Sequence, residues 1–212
     1  MIVAVLVFFL LSIGSEAACL PDSLVFSSKE LKIEMKVMEE TVEKFESVMV
    51  RELPAHQDLI IRLDALNPRV NAEVVKDNGH VAISVWGGML AHPKMNPPTL
   101  LLLLCHELGH LLGGPPLKSS TGWSSTEGQA DYYSTHACIK NLGLDEGQFI
   151  DAALALTAIY AEVVKQTAPR LDRCDQTIVS RINYGYPGVQ CRLDTMLSGW
   201  KQIPRPKCWF MD

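Results

Sequence analysis

One apolar helix with three polar residues inside it constrains this chain more than any other feature. Asn96 and Pro97 form a helix start, with Asn as the N-cap and Pro at the first helical position. The run that follows, 100–112, is apolar nearly all round, which predicts a helix at the centre of the fold. The Gly-Gly-Pro-Pro sequence at 113–116 then stops it.

His106 and His110 lie four residues apart in this helix, so their imidazoles share one face, about 40° apart around the axis. Two histidines placed in this way can bind one tetrahedral zinc ion. Glu107 flanks that position, where a general base for a zinc-bound water belongs. Burying these groups in an apolar helix is costly without a purpose, which favours a metal site over a hydrogen-bonded pair of core histidines.

A catalytic zinc ion needs a third protein ligand and an open position. A histidine six residues after His110 would supply one, but Pro116 stands there and cannot bind metal. Cys105 points away from both histidines around the helix. Neither position therefore provides the ligand.

Glu127 is the remaining candidate, at the start of a predicted helix over 126–141. The loop 113–126 allows this helix to return antiparallel, with Ala130 permitting a close approach. Asp131, one turn later, is then expected to accept a hydrogen bond from a ligating imidazole. Two alternatives remain: Asp131 as the ligand in place of Glu127, and Glu127 as an ordinary first-turn acidic residue.

Composition places the chain among globular proteins. Its 212 residues carry 19 Lys+Arg against 24 Asp+Glu, a net charge of −5, and 48% of them are hydrophobic. These values exclude a disordered or collagen-like chain, and the missing basic surplus argues against nucleic-acid binding. The length suits one domain, which we assign to residues 18–212.

The first 17 residues predict export from the cytosol. The apolar run 2–13 is too short to span a bilayer, and Ser15-Glu16-Ala17 fits the small-x-small pattern before a cleavage site. We therefore expect a signal peptide over 1–17 and a secreted or periplasmic protein with no stable membrane insertion after cleavage. No Lys or Arg precedes the run, so a buried N-terminal helix and a lipoprotein signal ending at Cys19 are alternatives.

Outside the cytosol, cysteines are more often disulfide-bonded than metal-bound, and the sequence has no C-x-x-C pair. A Cys105–Cys138 bridge would tie the two metal-binding helices together, although their offsets of about 7.5 Å and 16.5 Å along antiparallel axes match poorly. Three more, Cys174, Cys191 and Cys208, are expected to staple a loop-rich C-terminal tail, about 169–212. One of these three is expected to bond to Cys19, near the N-terminus.

The remaining periodicities predict an α+β fold that is mainly helical. Alternation over 81–86 predicts a strand with Val81, Ile83 and Val85 on one face. Three- and four-residue spacing predicts helices over 28–50 and about 145–167. The other histidines have no partner at ligand spacing, and we assign them no role: His56, His80, His92 and His136.

The pattern His106-Glu107-x-x-His110 followed by Glu127-x-x-Ala130-Asp131 resembles the gluzincin metallopeptidases. Within them it is most similar to the branch of the CAAX prenyl-protein peptidases and their membrane-bound heat-shock relatives. The resemblance implies zinc ligands at His106, His110 and Glu127, and a general base at Glu107.

Softer similarities flank the metal motif and extend the resemblance over residues 71 to about 197. The stretch 71–90 is similar to the strand before that family's zinc helix, and Tyr186-Pro187 with Arg192-Leu193 resembles its His-Pro and Arg-Ile segment. Here Tyr186 replaces the histidine thought to steady the oxyanion. The resemblance therefore implies that Tyr186 or Arg192 stabilises it, with Arg192 near Asp131.

In this clan an edge strand over the zinc helix binds the substrate peptide by β-augmentation. The resemblance assigns that role to the strand 81–86, with Trp86 as a pocket wall.

Together these features imply a secreted endopeptidase with one zinc ion per chain, acting on a peptide or protein by Glu-assisted attack of a zinc-bound water. A catalytically weak or inactive zinc-binding module that binds peptides or a protein partner is the main alternative, which Tyr186 favours. A disulfide-stabilised binding domain without metal is a third.

Overall fold

The computed structural model describes residues 15–18, 35–54, 57–77 and 79–211. It has the predicted α+β architecture, in which helices pack on a small mixed sheet. The elements in chain order are β1 (Ser15–Ala18), α1 (Met35–Met49), β2 (Asp58–Asp64), β3 (Ala72–Asp77), β4 (His80–Trp86), α2 (Gly87–Leu90), α3 (Pro97–Leu112), α4 (Glu127–Tyr133), a π-helical turn (Ser134–Cys138), α5 (Ile139–Asn141), α6 (Glu146–Val164) and α7 (Val189–Lys201).

The predicted strand over 81–86 is present as β4, but its expected position at the edge of the sheet is wrong. The strand order is β1-β3-β4-β2, so β4 has neighbours on both sides. It forms a hairpin with β3 through Gly79 and pairs in parallel with all seven residues of β2. Because its backbone groups already face two strands, β4 has no open edge for a peptide. The edges are β1 and β2.

The N-terminal predictions fall mostly outside the described residues. Those residues include only the end of the predicted signal peptide, 15–17, which belongs to β1 and pairs antiparallel with β3. The predicted helix 28–50 is described from Met35 onward, as α1, and its buried stripe includes Met38 and Phe45. Cys19 also lies outside the described part of the chain.

The central helix forms as its end signals predict. The Asn96 side chain accepts a hydrogen bond from the backbone N–H of Thr99 at 3.0 Å, and Pro97 follows as the first helical residue. Every residue of α3 from Thr99 to His110 is buried. The helix therefore passes through the core, and polar groups on it are removed from water.

The helix predicted over 126–141 is interrupted. A π-helical turn, Ser134–Cys138, separates α4 from α5. The turn holds more residues than an α-helical turn, so it rotates Cys138 away from the position expected for a continuous helix. Cys138 and Cys105 form a disulfide across a Cα–Cα distance of 5.6 Å. The poor match of the simple helix offsets therefore did not exclude this bridge.

The C-terminal tail is less irregular than predicted. Residues Val189–Lys201 form α7, whose buried residues Val189, Leu193 and Met196 recur at helical spacing. Cys191 in this helix is bonded to Cys208, whereas Cys174 is exposed and forms no disulfide with another described residue. One disulfide therefore joins the end of the tail to α7, in agreement with the expectation that cysteines staple this tail.

Within the described residues, α6 is long and apolar enough to cross a membrane by length and composition alone. Half of its most apolar window is buried inside the fold. The helix starts with a capping box formed by Asp145 and Gln148, and it packs against α3 and α7. A helix in the core of a folded protein has the same length and composition, so these two properties do not distinguish it from a membrane span.

Candidate metal centre

Two histidines and one glutamate converge where α3 meets α4. His106 Nε2 lies 3.4 Å from Oε2 of Glu127, and His110 Nε2 lies 3.5 Å from Oε1. One ligand atom from each of the three residues lies within 4.8 Å of the others. Both imidazoles are completely buried and the Glu127 side chain is 1% exposed. The three predicted ligands therefore form one buried cluster that could hold a metal ion.

The cluster depends on a close approach of α4 to α3. Gly109 lies between the two histidines, and a Cβ atom there would come within 2.7 Å of the backbone oxygen of Ala130. Only hydrogen at this position, opposite the small Ala130, lets the helix backbones touch. The predicted role of Ala130 is present, and Gly109 is its partner.

Each imidazole is oriented through Nδ1. His110 donates its Nδ1–H to the backbone oxygen of Ser125 at 2.8 Å, which leaves an acceptor lone pair on Nε2. His106 Nδ1 lies 2.9 Å from Oδ1 of Asp131. Both Nε2 atoms consequently face Glu127. Asp131 lies on the opposite side of the His106 ring, where it can orient the ring but not share its metal.

The donor set fits a divalent metal ion. Among the described residues, His110 Nε2 and Glu127 Oε2 are buried and form no hydrogen bond. Buried polar atoms are rarely left in this state, and a bound cation is one of the usual reasons. Two imidazole nitrogens and a carboxylate suit zinc well, although the same donors also accept other transition metals.

Arg192 reaches the centre from α7 and binds Asp131 with two hydrogen bonds, Nε to Oδ2 at 2.7 Å and Nη2 to Oδ1 at 2.9 Å. Its Nη2 also lies 3.5 Å from Oε2 of Glu127 and from Nε2 of His106. The guanidinium lies over the ring of Tyr160, 3.9 Å from its centroid. The structure thus places Arg192 near Asp131, as the resemblance implies.

The buried ionisable groups of the centre shift one another's pKa values. Burial lowers the pKa of His110 to about 3, so its imidazole is neutral. Burial also acts to lower the pKa of His106, but the Asp131 and Glu127 carboxylates together outweigh it and raise that pKa to about 9. For Glu127, burial acts to raise the pKa, yet contacts with the histidines and Lys118 hold it below its usual range. Glu127 is therefore ionised, with positive charge around it.

The two predicted catalytic side chains differ in exposure. Glu107 follows His106 on α3 and is completely buried. Tyr186 lies in the irregular segment before α7 and is 46% exposed. Glu107 is therefore fixed beside the cluster by its helix, while the role of Tyr186 at the oxyanion stays a prediction.

Several residues of the centre were not predicted. Lys118, in the loop between α3 and α4, places Nζ 2.7 Å from Oε1 of Glu127. Trp209 packs on Gly128, where a Cβ atom would come within 2.3 Å of the indole ring. Helix periodicity could have indicated Tyr160 as a core residue of α6. No sequence signal indicates a contact made by a loop lysine or by a residue near the C-terminal end.

No protein family, no curated protein and no solved structure matches this chain. The two disulfides indicate an oxidising, extracellular location. The assignment of function consequently depends on the geometry and chemistry of the cluster.

Proposed function

We propose that this chain is a secreted zinc-dependent endopeptidase of the gluzincin type. The observation that carries the proposal is the convergence of His106 Nε2, His110 Nε2 and the Glu127 carboxylate in one buried cluster, with Glu107 next to the first ligand. Two histidines, a glutamate ligand and a neighbouring glutamate base are the residue types that a catalytic zinc site uses, which supports the proposal. The disulfides support secretion, and the substrate would be a peptide or protein.

Zinc bound by His106, His110 and Glu127 would act as a Lewis acid towards water and the scissile carbonyl. Glu107 then takes the proton from the attacking water and passes it to the leaving amine. Asp131 holds the His106 ring in the orientation that presents Nε2, and Arg192 holds Asp131. The chain's own residues thus supply the base and fix the ligand geometry.

Two groups are candidates for stabilising the oxyanion of the tetrahedral intermediate. The Tyr186 hydroxyl can donate a hydrogen bond, and its segment is exposed to an incoming peptide. The Arg192 guanidinium already forms two hydrogen bonds with Asp131 and is 2% exposed, so it is less available to a substrate. We therefore favour Tyr186 for this role.

Glu107→Gln tests the proposal because it removes the base and keeps the shape. The variant should bind zinc as wild type does, since Glu107 is not a ligand, and its hydrolysis of a peptide library should fall by at least about 100-fold. Zinc content by mass spectrometry and library digestion are measured side by side. Undiminished cleavage by the variant would show that the activity does not depend on this residue.

A zinc-binding module with weak or no activity is the second candidate. It is favoured by the closure of the site, since Glu107 and the two histidines are buried and Lys118 covers Glu127. Stoichiometric zinc with no cleavage of any library peptide by wild type would select this function over the first.

A further inference from the structure

Lys118 connects the metal centre with the protein surface. Its ammonium nitrogen lies 2.7 Å from Oε1 of Glu127, closer to this carboxylate than His106, His110 or Arg192, whose nitrogens lie 3.4–3.5 Å away. The Lys118 side chain is 28% exposed, whereas the Glu127 side chain is 1% exposed. Two other ion-pair partners of Glu127, Arg192 and His106, are 2% and 0% exposed. Among the described ion-pair partners of Glu127, the lysine is thus the one that extends towards solvent.

The backbone of Lys118 is held while its side chain has room to move. Its N–H donates to the backbone oxygen of Ser124 at 2.7 Å, beside a β-bridge between Leu117 and Ser125. The Gly122 N–H closes the hairpin by donating to Ser119 O at 3.1 Å. A four-carbon side chain on this fixed backbone can leave Glu127 by rotation of its own bonds alone.

A cavity beside the hairpin offers a place for the displaced ammonium. It has a volume of about 560 Å³ and Lys118 forms part of its wall. Ser119 and Ser120 are among the residues that line it. Pro116, Ile182 and Tyr184 complete most of the lining. The lysine therefore has both the flexibility and the space to exchange its partner.

Charge makes this exchange necessary on metal binding. A divalent ion held by the two histidines and Glu127 would share one carboxylate with the Lys118 ammonium, and Arg192 already faces the second oxygen. Like charges a few ångströms apart in a buried site repel strongly. Metal binding and the Lys118–Glu127 contact are therefore opposed.

We propose that Lys118 is an exchangeable counter-cation of the metal centre. It neutralises Glu127 in the metal-free protein and leaves this carboxylate when a divalent ion binds, so that it sets how tightly the ion is held. The inference rests on the metal-binding part of the proposed function and is independent of peptidase activity.

Lys118→Met tests it by removing the ammonium while keeping most of the side-chain volume. The full chain is stripped with a chelator and titrated with Zn²⁺ in competition with a chromophoric chelator at pH 7.5. Zinc affinity should rise at least about tenfold in Lys118→Met, because the ion no longer competes with an ammonium. Lys118→Gln provides the same test if the methionine variant does not fold.

Two controls separate this effect from general loss of charge. Lys118→Arg keeps a cation beside Glu127 and should not show this rise in zinc affinity. Lys94→Met removes a lysine whose Nζ also lies 2.7 Å from a glutamate oxygen, that of Glu162, which is in none of the possible metal-binding groups found among the described residues. Its zinc affinity should be unchanged.

Unchanged or weaker zinc binding by Lys118→Met, beside normal binding by wild type, would overturn the counter-cation and leave the metal site intact. Such weakening would mean that the lysine orients Glu127 for the metal instead of competing with it. Absence of zinc binding in wild type as well would overturn both the counter-cation and the metal centre.

Discussion

The metal centre has a counterpart on the surface that is built from the same residue types. In the centre, His106 Nε2 and Lys118 Nζ lie 3.4 Å and 2.7 Å from the Glu127 carboxylate. Near the surface, Nε2 of the buried His92 and Nζ of the exposed Lys94 lie 3.1 Å and 2.7 Å from the Glu162 carboxylate. The pairwise contacts are nearly equal, so contacts alone do not distinguish a metal site from a surface ion cluster.

The difference lies in burial and in the number of imidazoles. Glu162 is 48% exposed, whereas Glu127 is 1% exposed and faces a second histidine. Burial lowers the pKa of His92, since the single exposed glutamate does not compensate for it, while the carboxylates around His106 raise its pKa. Convergence of two histidines on a buried carboxylate is what gives the centre its capacity for metal.

The largest difference is expected when each cluster loses an acidic residue. Asp131→Ala leaves Arg192 buried without its two hydrogen bonds and should lower the free energy of unfolding by about 3–5 kcal/mol. Glu162→Ala breaks a solvent-screened cluster and should cost less than about 1 kcal/mol. Urea denaturation measures the loss of unfolding free energy in both variants. Equal losses would contradict the expected difference between the two clusters.

A smaller effect is expected from a methyl group added to the helix contact beneath the centre. Gly109→Ala should destabilise the fold by about 1–3 kcal/mol, because its Cβ overlaps the backbone of Ala130, although alanine favours helices. It should also weaken zinc binding by shifting Glu127. As a control, Gly147→Ala in α6 meets only the Asp145 side chain at 3.3 Å. The free energy of unfolding of Gly147→Ala should change by less than about 1 kcal/mol. An equally small change in Gly109→Ala would mean that the backbones of α3 and α4 do not need glycine at this contact.

The sequence predicts the parts of the centre that depend on spacing along one helix. His106, Glu107 and His110 follow from a four-residue interval, and the limits of α3 from Asn96, Pro97 and the glycines after it. Glu127 was predicted because it starts the next helix. These are local signals, and one chain is enough to see them.

The parts that depend on how separate elements meet were missed or wrong. β4 is internal because β2 pairs with it in parallel, a contact that alternation within 81–86 does not indicate. The tail predicted to be loop-rich contains helix α7, whose N-cap, Gly188, has no side chain that could signal the helix start. Lys118 reaches Glu127 because of the hairpin that holds it. Hydrophobic periodicity in the sequence does not indicate the shape of such a hairpin.

The smallest predicted effect is on pH dependence, at the surface cluster. Burial lowers the pKa of His92 below its model-peptide value of 6.5. The unfolded chain therefore binds more protons below pH 6.5, and His92 contributes stability above that pH which is lost as the pH falls. His92→Gln should reduce the loss of unfolding free energy between pH 6.5 and pH 5. The unfolding free energies of wild type and His92→Gln are measured by denaturant titration at both pH values. An equal loss in the two proteins would contradict this assignment.

The central claim is that His106, His110 and Glu127 bind one metal ion. The most direct test is zinc stoichiometry by mass spectrometry after loading and desalting, on wild type, His110→Gln and His92→Gln. We expect one zinc ion per chain in wild type and in His92→Gln, and loss of bound zinc in His110→Gln, since removing one of three ligands weakens the site severely. A wild-type chain that retains no zinc, or a His110→Gln chain that retains it in full, would contradict the claim.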